Sequence, residues 1–137
     1  MNYFTIKIER RRMIQTSYYQ KAGSLPNAVG ISQGVPKWYT GALYKKLAPP
    51  WEIVKIENEA TFRRLYQEMV LSNLNPVHVA DDLEGKVLLC WELPGQFCHR
   101  RLVAEWLEKN LLIEVPELDV PKAAAPRSIQ RELWSFL

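Results

Sequence analysis

The sequence predicts a single α/β domain, a small parallel or mixed sheet flanked by helices, and three observations carry that prediction. Short runs rich in apolar and β-branched residues, at 14–19, 28–32 and 86–91, alternate with segments of helical periodicity. Within the third run, Val87-Leu88-Leu89 has no polar interruption, the pattern of a strand covered on both faces. Residues 99–112 place Leu102, Val103, Trp106, Leu107 and Leu111 on one stripe, with Glu105, Glu108 and Lys109 opposite. That spacing predicts an amphipathic helix following the strand.

Taken in order, residues 1–12 read as an extension: 3–8 alternate like a strand before Arg10-Arg11-Arg12 interrupts. The domain proper spans 13–118. Its first strand, 14–19, is rich in β-branched and aromatic residues, and Gly23-Ser24-Leu25-Pro26-Asn27 is a loop before the short buried strand 28–32. Residues 33–50 are irregular and aromatic, with one or two helical turns at 43–47 that Pro49-Pro50 ends. Residues 51–56 alternate and read equally as a strand or a helix entry. From 60 to 74, Phe62, Leu65, Tyr66, Met69, Val70 and Leu74 follow helical spacing. Asn75-Pro76 then breaks that helix and suits the start of another over 76–83, burying Val77, Ala80 and Val79 or Leu83. Ile113-Glu114-Val115 reads as a last edge strand. Beyond it, 119–137 is an arm punctuated by Pro121 and Pro126, ending in a segment with Ile129, Leu133, Phe136 and Leu137 at near-helical spacing.

A chain of 137 residues is the usual size of one domain. Hydrophobic residues at 47% and charged residues at 24% exclude disordered and fibrous classes. A net charge of +3 permits a phosphate-bearing partner without demanding one. No run of about 18 apolar residues exists, so no membrane partner is expected. The start lacks the apolar core of a secretory signal, and two cysteines are too few for a disulfide framework, which together point to the cytoplasm.

The chemistry concentrates in 87–101. An apolar run ends on Cys90, Pro94-Gly95 turns the chain, and Cys98-His99-Arg100-Arg101 opens the helix. In open α/β sheets ligands bind at the carboxyl ends of strands, where helix N-termini present free N–H groups. Arg100 or Arg101 offers a bidentate grip on phosphate or carboxylate, unless it pairs with a carboxylate of the chain itself. Cys90 reads as a nucleophilic or redox thiol or as a small buried hydrophobe, and Cys98 as part of the anion site or as packing. Phosphatase chemistry of the cysteine type needs an arginine six positions on, where Gln96 and Ala104 stand, so it is excluded in its usual form. Glu92 is the best-placed general acid or base, or a ribose acceptor, with His99 as the other proton carrier. Thr16, Ser17 and Tyr18 end the first strand and Ser32 the second, with hydroxyls suited to phosphate, ribose or a base edge. Trp38, Tyr39 and Trp51 suit a stacking wall for a nucleobase, with Trp38 and Tyr39 as its roof, or a lid that seals the core. Cys90, Cys98 and His99, with His78 as a distant fourth, offer metal ligands, but their spacing matches no standard zinc signature, so no metal and no cofactor is assigned. A Cys90–Cys98 disulfide is open but disfavoured in a reducing compartment.

Several of these segments together resemble an uncharacterised bacterial and phage family, domain of unknown function 488, over roughly residues 13–118. They are Ile14-Gln15-Thr16-Ser17-Tyr18, Val29-Gly30-Ile31-Ser32, Pro36-Lys37-Trp38-Tyr39-Thr40-Gly41, Tyr44-Lys45-Lys46-Leu47-Ala48-Pro49, and Leu88-Leu89-Cys90-Trp91-Glu92 with Cys98-His99-Arg100-Arg101-Leu102-Val103-Ala104-Glu105-Trp106-Leu107. Residues 1–12 and the proline-punctuated tail depart from the pattern. The resemblance implies an α/β fold with its site at the Cys-to-Cys-His-Arg segment, and carries no activity.

The leading expectation is a domain that binds, and hydrolyses or transfers, a nucleotide-like or other phosphate-bearing small molecule. The alternative is a non-catalytic interaction module, docking on a partner or a second copy through the C-terminal helix. A third, less favoured reading has the basic N-terminal arm contacting nucleic acid.

Overall fold

The structure, a computed structural model, describes residues 12–120. The strand-like stretch 3–8 and the expected C-terminal helix 128–137 lie outside the described residues, as do Arg10 and Arg11 of the basic arm.

A four-stranded, wholly parallel sheet has the order β1 (Gln15–Tyr18), β4 (Val87–Cys90), β2 (Ala28–Gly30), β3 (Ala42–Leu43). The unbroken apolar run of β4 is central and buried at every position. Alternate side chains point to opposite faces of a strand. Leu88 accordingly joins Ile14, Val29, Ile31 and Leu107 in the larger core. Val87 and Leu89 pack on the other face with Tyr19, Ala22, Ala28 and Tyr39.

Short helix α1 (Tyr19–Ala22) follows β1, and α2 (Trp51–Val54) resolves the ambiguous 51–56 stretch as helix, entered through Pro50 and burying only Ile53. The long helices α3 (Glu59–Met69) and α5 (His99–Leu111) and the shorter α4 (Pro76–Asp82) cover the larger core. Asn58 caps α3 by accepting from the Thr61 N–H at 2.9 Å, and Asn75 caps α4 from the Val77 N–H at 2.9 Å, with Pro76 in its first turn.

The structure differs from the sequence expectation in four places. Helix α3 stops at Met69, and a 3₁₀ turn takes Leu71–Asn73. Ser72 and Asn73 side chains donate to the Glu68 and Met69 carbonyls at 2.6 and 3.0 Å, and such side-chain bonds compete with helix continuation. In α4, Val77 is exposed against expectation, whereas Ala80 is buried as expected together with Val79 and the following Leu83. Residues 113–115 form no strand: α5 ends at Leu112 in the left-handed region (φ 54°), and the chain reaches the free edge of β1 only as a single bridge, Thr16 to Glu117. Pro116, which has no N–H to donate, stands inside that bridge, and its carbonyl accepts from the Thr16 N–H at 3.0 Å. The edge strand opposite β1 is Ala42–Leu43, inside the stretch expected to be irregular. Among the described residues no helix is long and apolar enough to cross a membrane.

Candidate functional site

Because every strand runs the same way, the loop leaving β4 brings the N-terminus of α5 back to the carboxyl edge of the sheet. Residues 91–98 make that passage, with Gly95 at φ 89° in open space, a conformation few side chains adopt. Cys98 is the extended N-cap of α5 and makes no side-chain cap. His99 and Arg100, the first two helical residues, therefore turn inward and are 7% and 1% exposed.

Arg100 meets a carboxylate of its own chain. Its Nε and Nη2 donate to Glu117 Oε1 and Oε2 at 3.1 and 2.8 Å, a bidentate pair, while Nη1 donates to the Glu92 carbonyl at 2.7 Å and to Cys90 Sγ at 3.2 Å. The Thr16 hydroxyl donates to Glu117 at 2.6 Å and accepts from Arg101 at 2.8 Å, and Arg101 also donates to the Val115 carbonyl at 2.9 Å. The cation expected to grip a ligand is thus engaged internally. Arg100 follows the alternative of pairing with a carboxylate of its own chain, and Glu117 is the functional neighbour that sequence reasoning missed. The available signal was physical: a guanidinium turned into a core must find a carboxylate.

His99 is fixed just as tightly. Its Nε2 lies 2.7 Å from the Ile31 carbonyl, which can only accept, so Nε2 carries the proton and Nδ1 keeps its lone pair. Burial drives its pKa down to about 4; the Ile31 hydrogen bond opposes that shift and the Arg100 charge adds to it. At neutral pH the imidazole is uncharged.

Cys90 and Cys98 are paired sulfur to sulfur, the arrangement that the sequence disfavours, with Cα atoms 7.3 Å apart. The two sulfurs and a ring nitrogen of His99 all lie within 4.8 Å of one another, and all three residues are buried.

In front of this cluster is a cavity of about 230 Å³, lined by Ser32, Gly34, Trp51, Phe62, Cys90, Trp91, Glu92 and His99 among others. Ser32 donates to the Gly34 carbonyl at 2.7 Å, so the 2.5 Å contact between Tyr19 and Ser32 is donated by the tyrosine. The Trp91 indole N–H donates to the same Gly34 carbonyl at 2.9 Å, and its ring meets Tyr19 edge-on at 5.5 Å. Lys45 is held nearby by the Gln33 carbonyl at 2.8 Å.

Of the sequence-predicted residues, Ser32, Cys90, Glu92 and His99 come together around this cavity. Cys98 and Arg100 stand behind it, both against Cys90. Thr16 is one layer deeper, committed to Glu117, and Tyr18 is in register with Cys90 at the end of β1. Ser17, in register with Leu89, is buried, and its hydroxyl has no hydrogen-bond partner among the described residues. Trp38 and Tyr39 do not line the cavity. Tyr39 donates to the Ala42 carbonyl at 2.7 Å and packs edge-on against Tyr19, and Trp38 lies so close to Gly23 that a side chain there would collide with it. Of the three aromatics expected as a wall only Trp51 lines the cavity, and Trp91 joins it; they are 62% and 53% exposed.

A larger furrow of about 400 Å³ runs between α3 and α5, lined by Arg63, Gln67, Glu105 and Lys109 among others. Its Arg63–Glu105 pair at 3.0 Å is exposed and worth little. Among the described residues, no thiol, histidine or strand end lines it. No protein-family model, no curated protein and no solved structure matches this chain.

Proposed function

We propose that the protein binds a small planar molecule of nucleoside-like chemistry in the crevice at the carboxyl ends of β2 and β4. The observation that carries this reading is the convergence of two exposed indoles, Trp51 and Trp91, with Ser32, Gly34 and Glu92 around one cavity. Indole faces stack on bases of any sequence, and carbonyl, hydroxyl and carboxylate groups suit base edges and ribose hydroxyls. Size narrows the class. About 230 Å³ is below the roughly 300–1,000 Å³ of drug-sized sites, so a base or single ring system is seated and the rest of the ligand stays outside. Any phosphate on the ligand meets Lys45 rather than Arg100, since Glu117 already occupies the guanidinium.

If a reaction follows binding, Glu92 is its proton carrier. It is exposed at the cavity rim, whereas His99 is neutral and already donates to Ile31. The resemblance to domain of unknown function 488 supports the site's place on the chain and names no reaction.

Calorimetric titration of the full chain with nucleosides and their monophosphates tests the reading. We expect saturable heat with at least one of them, and about tenfold weaker binding in Trp51→Ala, since stacking contributes about 1–3 kcal/mol per base. Trp51 is largely exposed, so its removal spares the core. No heat with any nucleoside or nucleotide contradicts the proposal.

A further inference from the structure

We infer that reduced Cys90, Cys98 and His99 form a binding site for one zinc-like ion, with an open coordination position facing the cavity. The first support is convergence: two thiols and an imidazole from a strand end and a helix start, all buried, with ligand atoms within 4.8 Å of one another. Bonds of about 2.3 Å from sulfur and 2.0–2.1 Å from nitrogen place tetrahedral ligands within that span.

The second support is the shell around the three. Metal-bound histidines donate their other ring N–H to a carbonyl or carboxylate, as His99 Nε2 does to Ile31 at 2.7 Å, which leaves Nδ1 for an ion. Arg100 Nη1 donates to Cys90 Sγ at 3.2 Å, the contact that steadies a ligating thiolate. The third support is the backbone. Cα atoms 7.3 Å apart lie beyond the roughly 4.4–6.8 Å that disulfides usually span, while two ligands of one ion need no closer approach. Charge agrees as well: two thiolates cancel a divalent cation, and the neighbouring Arg100 is balanced by Glu117.

Uptake replaces the two thiol protons with the ion, so two protons leave per ion bound and no electrons are transferred. Soft sulfur ligands select zinc over magnesium or calcium. Three protein ligands with a fourth position free is the arrangement of zinc sites that hold water or a ligand, and Cys90 and His99 both line the cavity. The ion itself does not depend on the nucleoside reading; only the use of its open position does.

The test is metal analysis of full-length protein purified under reducing conditions, followed by replacement with Co²⁺. We expect one zinc per chain and, with cobalt, thiolate-to-cobalt charge-transfer absorption together with tetrahedral ligand-field bands. Cys98→Ser and His99→Asn are expected to lose the stoichiometric ion while circular dichroism shows both still folded. Reduced wild type with two titratable thiols that gives no cobalt spectrum overturns the inference. So does a Cys98→Ser variant that binds zinc as tightly as wild type. If these variants do not fold, the wild-type cobalt spectrum alone decides. A zinc-bound protein that binds no nucleoside sinks only the ligand reading, and a metal-free protein that binds one sinks only this inference.

Discussion

Glu117→Ala is expected to destabilise the fold by about 3–5 kcal/mol, the cost of leaving a buried charge without its partner. Arg100 is 1% exposed, and its Nε and Nη2 both end on Glu117, so no water takes the carboxylate's place without opening the core. The loss extends to Thr16, whose hydroxyl donates to the same carboxylate. Urea unfolding at neutral pH measures it. A second variant, Arg100→Met combined with Glu117→Leu, is expected to recover most of the loss, because an apolar pair of similar volume removes both charges together. The Glu92 carbonyl that Arg100 also serves belongs to an exposed residue and can turn to water. A single variant within about 1 kcal/mol of wild type would mean that the ion pair is not buried as described.

The second large effect is an acid limb set by His99 in protein freed of metal by a chelator. Its folded pKa is about 4, against about 6.5 for an unperturbed histidine. Between those values the unfolded chain holds the extra proton, so stability rises with pH across that window. The contribution is complete above about pH 6.5 and is lost progressively as pH falls toward 4. In total it amounts to about 3 kcal/mol, at 1.36 kcal/mol per pKa unit. Urea midpoints of wild type and His99→Gln compared from pH 7.5 to 4.5 isolate it, since carboxylates titrate alike in both. We expect the curves to converge toward acid; curves that stay parallel contradict the buried neutral imidazole.

Much of the fold was legible because its strongest element is long-range only in its consequences. An unbroken Val-Leu-Leu run implies burial on both faces, and burial on both faces implies a central parallel strand, which β4 is. The strand, turn and helix order of 87–101 likewise follows from local chemistry, and it places Cys90 beside the first turn of α5. β3 was not legible, because two residues are too few for a period of two to show. The expected edge at 113–115 failed for a tertiary reason: Val115 is drawn fully inside, and its N–H donates to Glu108.

Within the site, the types were legible and the directions were not. Arginine in a first helical turn is equally suited to solvent, ligand or core. Only the return of the chain to β1, which sets Glu117 against Thr16, decides among these for Arg100. That Trp51 lines the cavity with Trp91, while Trp38 and Tyr39 do not, depends on how two loops cross the sheet's carboxyl edge, and no local pattern encodes that. Helix α2 turns Trp51 outward while burying Ile53, and Gly34 fixes the Trp91 indole through a single hydrogen bond.

The central claim, that the crevice at the carboxyl ends of β2 and β4 receives the ligand, is tested most directly by nuclear magnetic resonance of ¹⁵N-labelled full-length protein. Nucleosides and their monophosphates are added one at a time. The account predicts saturable shifts of the Trp51 and Trp91 indole signals and of the Gly34, Glu92 and His99 amides, with Trp38 unmoved. Saturable shifts confined to Arg63, Gln67, Glu105 and Lys109 in the furrow between α3 and α5 would contradict it.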